Sequence, residues 1–374
     1  MSIIIFIIIL LVLVLVHEFG HFFTAKRFGI RVDEFGFGFP PKLFSFKKGE
    51  TEYSINALPF GGFVKIFGES FEEADMVEVG FLDKDSKDLS RSLVSKPKWQ
   101  QAIVLFAGIF SNFLLAWLLF SIGFMSGLPT SVGAEPAGTT LSDVHLTVVS
   151  VLPKSPAEGA GLKVGDKIIN IGSGNNFTTY VSPESIKSFV VADAGKEINI
   201  GYTRGKNTEI IDTKMIPAIS SSTGEPFIGI SMDMIGTAKL PFFTALFEGM
   251  RLDWSMTKGT AVGLYTLIAD GIRGKGSFAG VTGPVGMVGI VGDAYKFGFV
   301  YLLSFAALIS INLAIINLLP FPALDGGRLF FLLIEKIKGS RINPKFANMA
   351  NMIGFGILIL LMLIITYHDV IKLF

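Results

Sequence analysis

Residues 3–23 read IIIFIIILLVLVLVHEFGHFF, an apolar run unbroken up to Val16 and then His17-Glu18-Phe19-Gly20-His21. A run of this length matches the ~20 residues a helix needs to cross a hydrocarbon core of roughly 30 Å. Two imidazoles and a carboxylate are costly to place at that depth, and ionisable groups there are functional by default. Residues four apart share one face of a helix, so His17 and His21 can hold one Zn²⁺ while Glu18 stands beside it as general base toward water. The expected chemistry is hydrolysis of a peptide bond within a membrane. The plain alternative is a pair of buried histidines packed against a neighbouring helix. His145 and His368, the other two of the 4 His, have no metal-ligand spacing.

Composition points the same way. Half of the 374 residues are hydrophobic, 36 are Phe, and the mean hydropathy is +0.58, which is the profile of a membrane protein. A net charge of +1 gives no reason to expect nucleic acid as a partner. With no Cys, the chain has no disulfides, thiolate nucleophiles or Cys-ligated zinc, so any metal must be held by His and carboxylate.

Three further runs, residues 102–125, 299–319 and 352–367, read as membrane spans. Lys26, Arg27 and Arg31 follow the first span, and Lys96 and Lys98 precede the second. By the positive-inside rule that connection is cytoplasmic and the N-terminus outside; Lys336, Lys338, Arg341 and Lys345 between spans three and four agree. Odd-numbered spans run in one direction, so their C-terminal ends meet at one membrane face. His17 and His21 lie near the end of span one. Asp325, in Pro320-Phe321-Pro322-Ala323-Leu324-Asp325-Gly326-Gly327, lies just past span three and is the carboxylate best able to approach them. Asp-Gly-Gly is also ordinary turn chemistry, so spacing alone leaves Asp325 open between ligand and turn residue.

After the metal helix the chain turns Gly-rich, with strand character at residues 43–47, 52–56 and 62–67 and aromatics alternating with glycine in Phe35-Gly36-Phe37-Gly38-Phe39-Pro40. Such a segment reads as a β-hairpin or sheet dipping into the membrane beside the site. Its open edge could hold an unfolded peptide by β-addition, or its Phe residues could simply anchor it at the membrane surface. Residues 69–90, rich in Asp, Glu, Lys and Ser, read as a solvated cytoplasmic loop.

Residues from about 134 to 233 read as a soluble module with period-2 runs and turn punctuation, expected outside the cytoplasm from the topology above. Its stretch VVSVLPKSPAEGAGLKVGDKIINI, residues 148–171, resembles the PDZ domain. Phe227-Ile228-Gly229-Ile230 looks like the carboxylate-binding loop of a circularly permuted PDZ, where backbone amides could receive a peptide C-terminus. A folded spacer or steric gate that binds no peptide is the alternative. Residues 240–268 read as an interfacial amphipathic helix, followed by a Gly-rich backbone loop at residues 280–286.

The intramembrane His17-Glu18-x-x-His21, the Asn-x-x-Pro-x-Pro-x-Leu-Asp-Gly run from Asn317 to Gly326, and a PDZ-like insert between spans two and three together resemble a bacterial site-2 protease. The nearest type is the regulator-of-sigma-E (RIP) zinc metalloprotease group. The likeness covers essentially the whole chain, including Phe106-Ala107-Gly108 with Asn112 in span two. It implies Asp325 as third zinc ligand, Asn312 and Asn317 as residues that position an unwound substrate, and a membrane-reentrant β-loop after Gly36. It also implies a bacterial cytoplasmic-membrane location, an active site near the cytoplasmic face, and single-pass substrates such as anti-sigma factors or leftover signal peptides. Two departures stand out. Ile109 follows Gly108 where the family usually has proline, and one PDZ-like module fits where the best-known members have two.

The fold expected is a polytopic α-helical membrane protein with four transmembrane helices, a membrane-associated β-hairpin or sheet and one inserted PDZ-like α+β domain. The segments are 1–68 (first transmembrane helix, zinc motif and β region), 69–98 (acidic loop), 99–133 (second transmembrane helix) and 134–236 (PDZ-like domain). They continue with 237–297 (amphipathic helix and Gly-rich loop), 298–338 (third transmembrane helix with Leu-Asp-Gly) and 339–374 (fourth transmembrane helix). The expected activity is a zinc metalloendopeptidase cleaving transmembrane segments in the bilayer. A non-catalytic PDZ-bearing receptor or scaffold with a structural metal site is the alternative, disfavoured because such a site needs no base at Glu18.

Overall fold

The structure, a computed structural model, describes residues 1–69, 89–174, 176–205, 207–220, 224–274 and 281–371. Most of the acidic segment expected as a cytoplasmic loop, and Gly280 of the Gly-rich stretch, lie outside the described residues. In chain order the elements begin with α1 (Ser2–Arg27), β1 (Val32–Lys48), β2 (Thr51–Ile66), α2 (Lys98–Ser126), β3 (Leu128–Ser131), β4 (Ser142–Val151) and α3 (Pro156–Gly159). Then come β5 (Lys167–Ser173), β6 (Asn176–Thr178), α4 (Pro183–Ala192), β7 (Ile198–Thr203), β8 (Ile211–Met215), β9 (Ala218–Ile219), β10 (Pro226–Phe227) and β11 (Ile230–Ala238). The last helices are α5 (Phe242–Ile272), α6 (Pro284–Phe297), α7 (Phe299–Leu318), α8 (Asp325–Lys338) and α9 (Pro344–Ile371). Among the described residues α1, α2, α7 and α9 are long and apolar enough to cross a membrane. Together with the sheet module below, they agree with a polytopic membrane protein.

The chain divides into two compact units, the first formed by residues 1–119, 249–292 and 305–374. In lipid every backbone polar group must be satisfied within the segment, so an uninterrupted run of Ile, Leu and Val such as α1 is helical despite its β-branched content. The buried face of α1 is Leu13, His17, Gly20, His21 and Ala25, one helical stripe. Ile4, Ile8, Val12, Phe19 and Phe23 are exposed on the remaining surface, as lipid-facing residues would be. A Cβ on Gly20 would collide with Ala107 O and Ser111 Oγ, so this glycine sets how closely α1 and α2 approach.

β1 and β2 form one antiparallel hairpin from Val32↔Ile66 to Lys48↔Thr51. The three short strands expected here are merged into two long ones. Repeated register shifts bend the ribbon without ending its pairing. Gly38, at φ +80, makes one bend possible: a Cβ there would sit 2.6 Å from Leu58 O. Phe39, Leu43, Phe44, Phe46, Ile55 and Leu58 are exposed, so much of the hairpin's outward surface is apolar.

The third apolar run and the Leu-Asp-Gly motif after it fall on two separate helices. α7 ends at Leu318 and α8 starts at Asp325, because Pro320 and Pro322 lack the N–H groups a continuing helix needs and bias the residues before them away from helical geometry. The Gly-rich loop is a departure from the sequence reading. Residues 284–297 are the helix α6, whose first residue is Pro284, since proline suits the first helical position. Its Gly286 N–H donates to Asp369 Oδ2 at 2.8 Å.

The second unit comprises residues 120–248 and 293–304. Its main sheet runs in the order β3-β11-β4-β5-β7-β8, with β6 on β5. It begins at Leu128, ahead of the residue at which the sequence pattern opens the module. Ile198, Ile200 and Tyr202 on β7 are buried alternately and pack with Leu146, Ile168 and Ile186 in one core. α4 starts with a reciprocal cap, Ser185 N–H donating to Ser182 Oγ at 3.1 Å and Ser182 N–H to Ser185 Oγ at 2.7 Å. Asp166, fully buried, accepts from Arg204 at 2.6 and 2.7 Å and from Lys163 N–H at 2.8 Å, so its charge is paired.

Candidate metal centre

The buried stripe of α1 carries His17 and His21, 7% and 6% exposed, on one side of the helix. The break after α7 delivers the third group. Leu324 is extended at φ −106, ψ 161, and Asp325 opens α8. Ala323 occupies the left-handed region at φ +75, a strained position for a residue with a Cβ, and its N–H donates to Asn351 Oδ1 at 3.1 Å. Gly326 and Gly327 are helical. A Cβ on either would collide with the main chain of residues 318–322, so glycine serves close packing here and the ordinary-turn reading of Asp-Gly-Gly does not hold.

Asp325 Oδ2 lies 2.9 Å from His17 Nε2 and 3.2 Å from His21 Nε2, and the two Nε2 atoms are 3.2 Å apart. Bonds of about 2.05 Å at tetrahedral angles separate zinc donors by roughly 3.3 Å. The three atoms therefore match a tetrahedral face in spacing, and two imidazoles with one carboxylate suit Zn²⁺ in donor chemistry, with a fourth position left open.

α2 backs both rings. His21 Nδ1 is 2.8 Å from Val104 O, and His17 Nδ1 is 3.1 Å from Asn112 Nδ2. Between those two positions Gly108 faces the His21 ring so closely that a Cβ would collide with Nε2. Sequence reasoning noticed Gly108 and Asn112 only as motif letters. The signal was present in the spacing, since residues 104, 108 and 112 form one helical stripe with small and polar members in an otherwise apolar span.

Glu18 is half-buried and lines a cavity of about 270 Å³ with His17, Asp325, Leu313 and Asn317. A Cβ on Gly62 of β2 would stand 3.3 Å from Glu18 Cγ. The hairpin thus flanks the carboxylate, a contact that no spacing in the sequence announces. Of the two asparagines implied as substrate-positioning, Asn317 lines this cavity, and Asn312 is not among the residues lining it. Phe227, Ile228, Gly229 and Ile230 lie in the second unit. They line a cavity of about 790 Å³ bounded by Ile186, Lys187 and Val190 of α4 and by Met232 of β11. Gly229 is at φ +84, and a Cβ there would meet Ser155 Cβ.

The family model described as Peptidase family M50 matches residues 5–361. A Clostridium perfringens chain is 35% identical over 359 residues, covering 96% of this chain and 95% of its own length. The regulator of sigma-W protease RasP of Bacillus subtilis is 32% identical, with 100% of this chain and 99% of that protein covered. The zinc metalloprotease RasP of Geobacillus kaustophilus is 31% identical, with 100% and 98% covered. Among solved structures, the PDZ domain of an SdrC-like protein from Listeria monocytogenes is 29% identical over 25% of this chain and 92% of its own, with a TM-score of 0.20.

Proposed function

We propose, on the premise that this chain belongs to peptidase family M50, that His17, His21 and Asp325 hold the catalytic Zn²⁺ and that Glu18 is the general base. The chain is a zinc metalloprotease of the site-2 type and acts within the membrane. One observation carries the residue assignment: three donor atoms from two segments more than three hundred residues apart converge at zinc-ligand spacing. When bound there, the ion supplies Lewis acidity toward water and the scissile carbonyl. A Glu18 carboxylate oxygen takes the proton from the attacking water and later delivers it to the leaving amine. Asn317, on the cavity wall, hydrogen-bonds the unwound substrate backbone; Asn312 belongs to the same assignment from the family resemblance. The hairpin of β1 and β2 leaves an open strand edge beside Glu18 that can take an extended peptide by β-addition. The substrates are single-pass membrane proteins, of the anti-sigma-factor or signal-peptide kind.

The test is metal removal. Purified protein cleaving a model membrane helix in detergent should lose activity on chelation and regain it with Zn²⁺. Undiminished cleavage by zinc-free protein would overturn the assignment.

Four spans, with the metal site near the cytoplasmic face and the PDZ-like module outside, follow from the basic residues that flank α1, α2 and α9. The chain lacks Cys, so single-cysteine variants report sidedness without background. Lys345→Cys should react with an impermeant thiol reagent only from the cytoplasm and Ser220→Cys only from outside; the reverse pattern would invert the topology.

The cavity beside Phe227, Ile228, Gly229 and Ile230 takes an extended apolar peptide C-terminus along β11. Met232→Asp, which puts a charge on its wall, should weaken capture of a fluorescent peptide ending in Val or Leu at least about 10-fold, as burying an unpaired charge requires. Equal binding by the variant would leave the module as a gate.

A further inference from the structure

We infer that Asn112 is a positioning residue for the metal, its side-chain carbonyl accepting a hydrogen bond from His17 Nδ1 and so holding His17 in the tautomer whose Nε2 can ligate. This rests on the assignment of His17 as a metal ligand made above.

A neutral imidazole carries one N–H and one lone pair. His17 Nε2 faces the converging donors, 2.9 Å from Asp325 Oδ2 and 3.2 Å from His21 Nε2. If Nε2 offers its lone pair to the ion, the ring proton sits on Nδ1 and needs an acceptor. For His21 the acceptor is fixed, because the Val104 carbonyl 2.8 Å from its Nδ1 can only accept. For His17 the neighbour is the amide of Asn112, which is fully buried.

The structure turns Asn112 Nδ2 toward His17 Nδ1 at 3.1 Å, which suits a ring without a proton there. Asn112 Oδ1 is buried with no partner, so no hydrogen bond pins the amide's other end. The amide is nearly symmetric in shape, and turning it over brings the oxygen to the ring. The main chain beneath it stays in place, since Ser310 Oγ of α7 donates to Asn112 O at 2.8 Å. Asn112 can therefore serve the ring in either tautomer, and an ion on Nε2 selects the orientation with oxygen inward. α2 thus supports both imidazoles from one stripe: the Val104 carbonyl for His21, bare Gly108 to admit that ring, and the Asn112 side chain for His17.

The test compares zinc affinity of the full chain, by chelator competition, in wild type, Asn112→Leu and Asn112→Asp. Leucine keeps the volume and offers no acceptor; aspartate offers an acceptor and no donor. Leucine should weaken zinc binding about 10- to 100-fold, the usual cost of losing such a partner, and aspartate should stay within about 3-fold of wild type. Cobalt-loaded wild type should give two exchange-protected, paramagnetically shifted imidazole N–H signals. The leucine variant should keep only that of His21. Wild-type affinity in the leucine variant, or aspartate as weak as leucine, would overturn the inference while leaving the zinc site in place. If the leucine variant does not fold, a single protected imidazole signal in wild type overturns it instead. Wild type that binds neither zinc nor cobalt would sink the metal-site assignment itself.

Discussion

Glu18→Gln should leave the zinc content of the purified protein unchanged and lower turnover of a membrane-helix substrate by ~10²- to 10⁴-fold, about 3 to 5 kcal/mol of barrier. Glutamine keeps the shape of glutamate and fits against Gly62 of β2 as glutamate does, so the hairpin beside the site should not move. Glu18 is not one of the three converging donors, so the ligand set stays intact. What disappears is the basic oxygen that receives the proton from water. Assay of a model single-pass helix, with metal content measured on the same sample, decides the point. Turnover equal to wild type would remove Glu18 from the mechanism, and parallel loss of zinc would make it a structural residue.

Asp325→Ala should show the opposite split: zinc lost and activity lost together. The carboxylate is the only anionic donor in the cluster, and both imidazoles hydrogen-bond to it within 3.2 Å. Its removal leaves two neutral ligands and one fewer bond to the ion. Loss of outer partners alone typically costs 10- to 100-fold in metal affinity, so loss of a ligand should exceed ~100-fold. Alanine is a good helix former at the start of α8, and Gly326 and Gly327 still permit the close packing against the Pro-x-Pro turn, so the break after α7 should survive. Stoichiometric zinc in the alanine variant would show that another group completes the site.

How much of this was legible beforehand differs from residue to residue. His17, Glu18 and His21 were legible because they are separated by less than one helical turn or just over it, and periodicity within a helix is a local property. The family likeness carried by those residues and by the Leu-Asp-Gly run holds, since the M50 model matches residues 5–361. The reach of the hairpin was less legible. Register shifts let β1 and β2 run through glycines that read as strand ends. α6 was missed because Gly283-Pro284-Val285-Gly286 looks like a loop to any local rule, although proline also starts helices.

From sequence alone came everything that depends on neighbours along the chain: the apolar length that lets α1 cross a membrane, the pairing of two imidazoles on one face, and the exclusion of cysteine as a ligand. Tertiary structure decided what depends on neighbours in space. Asp325 reaches His17 across 308 positions because α7 ends at Leu318 and α8 starts at Asp325, a contact that spacing along the chain leaves open. The same holds for Val104, Gly108 and Asn112, whose stripe has a purpose only when α1 lies against it. Hydrogen bonds and steric contacts act over a few ångströms of space, and a chain's order does not encode which distant segments will share them.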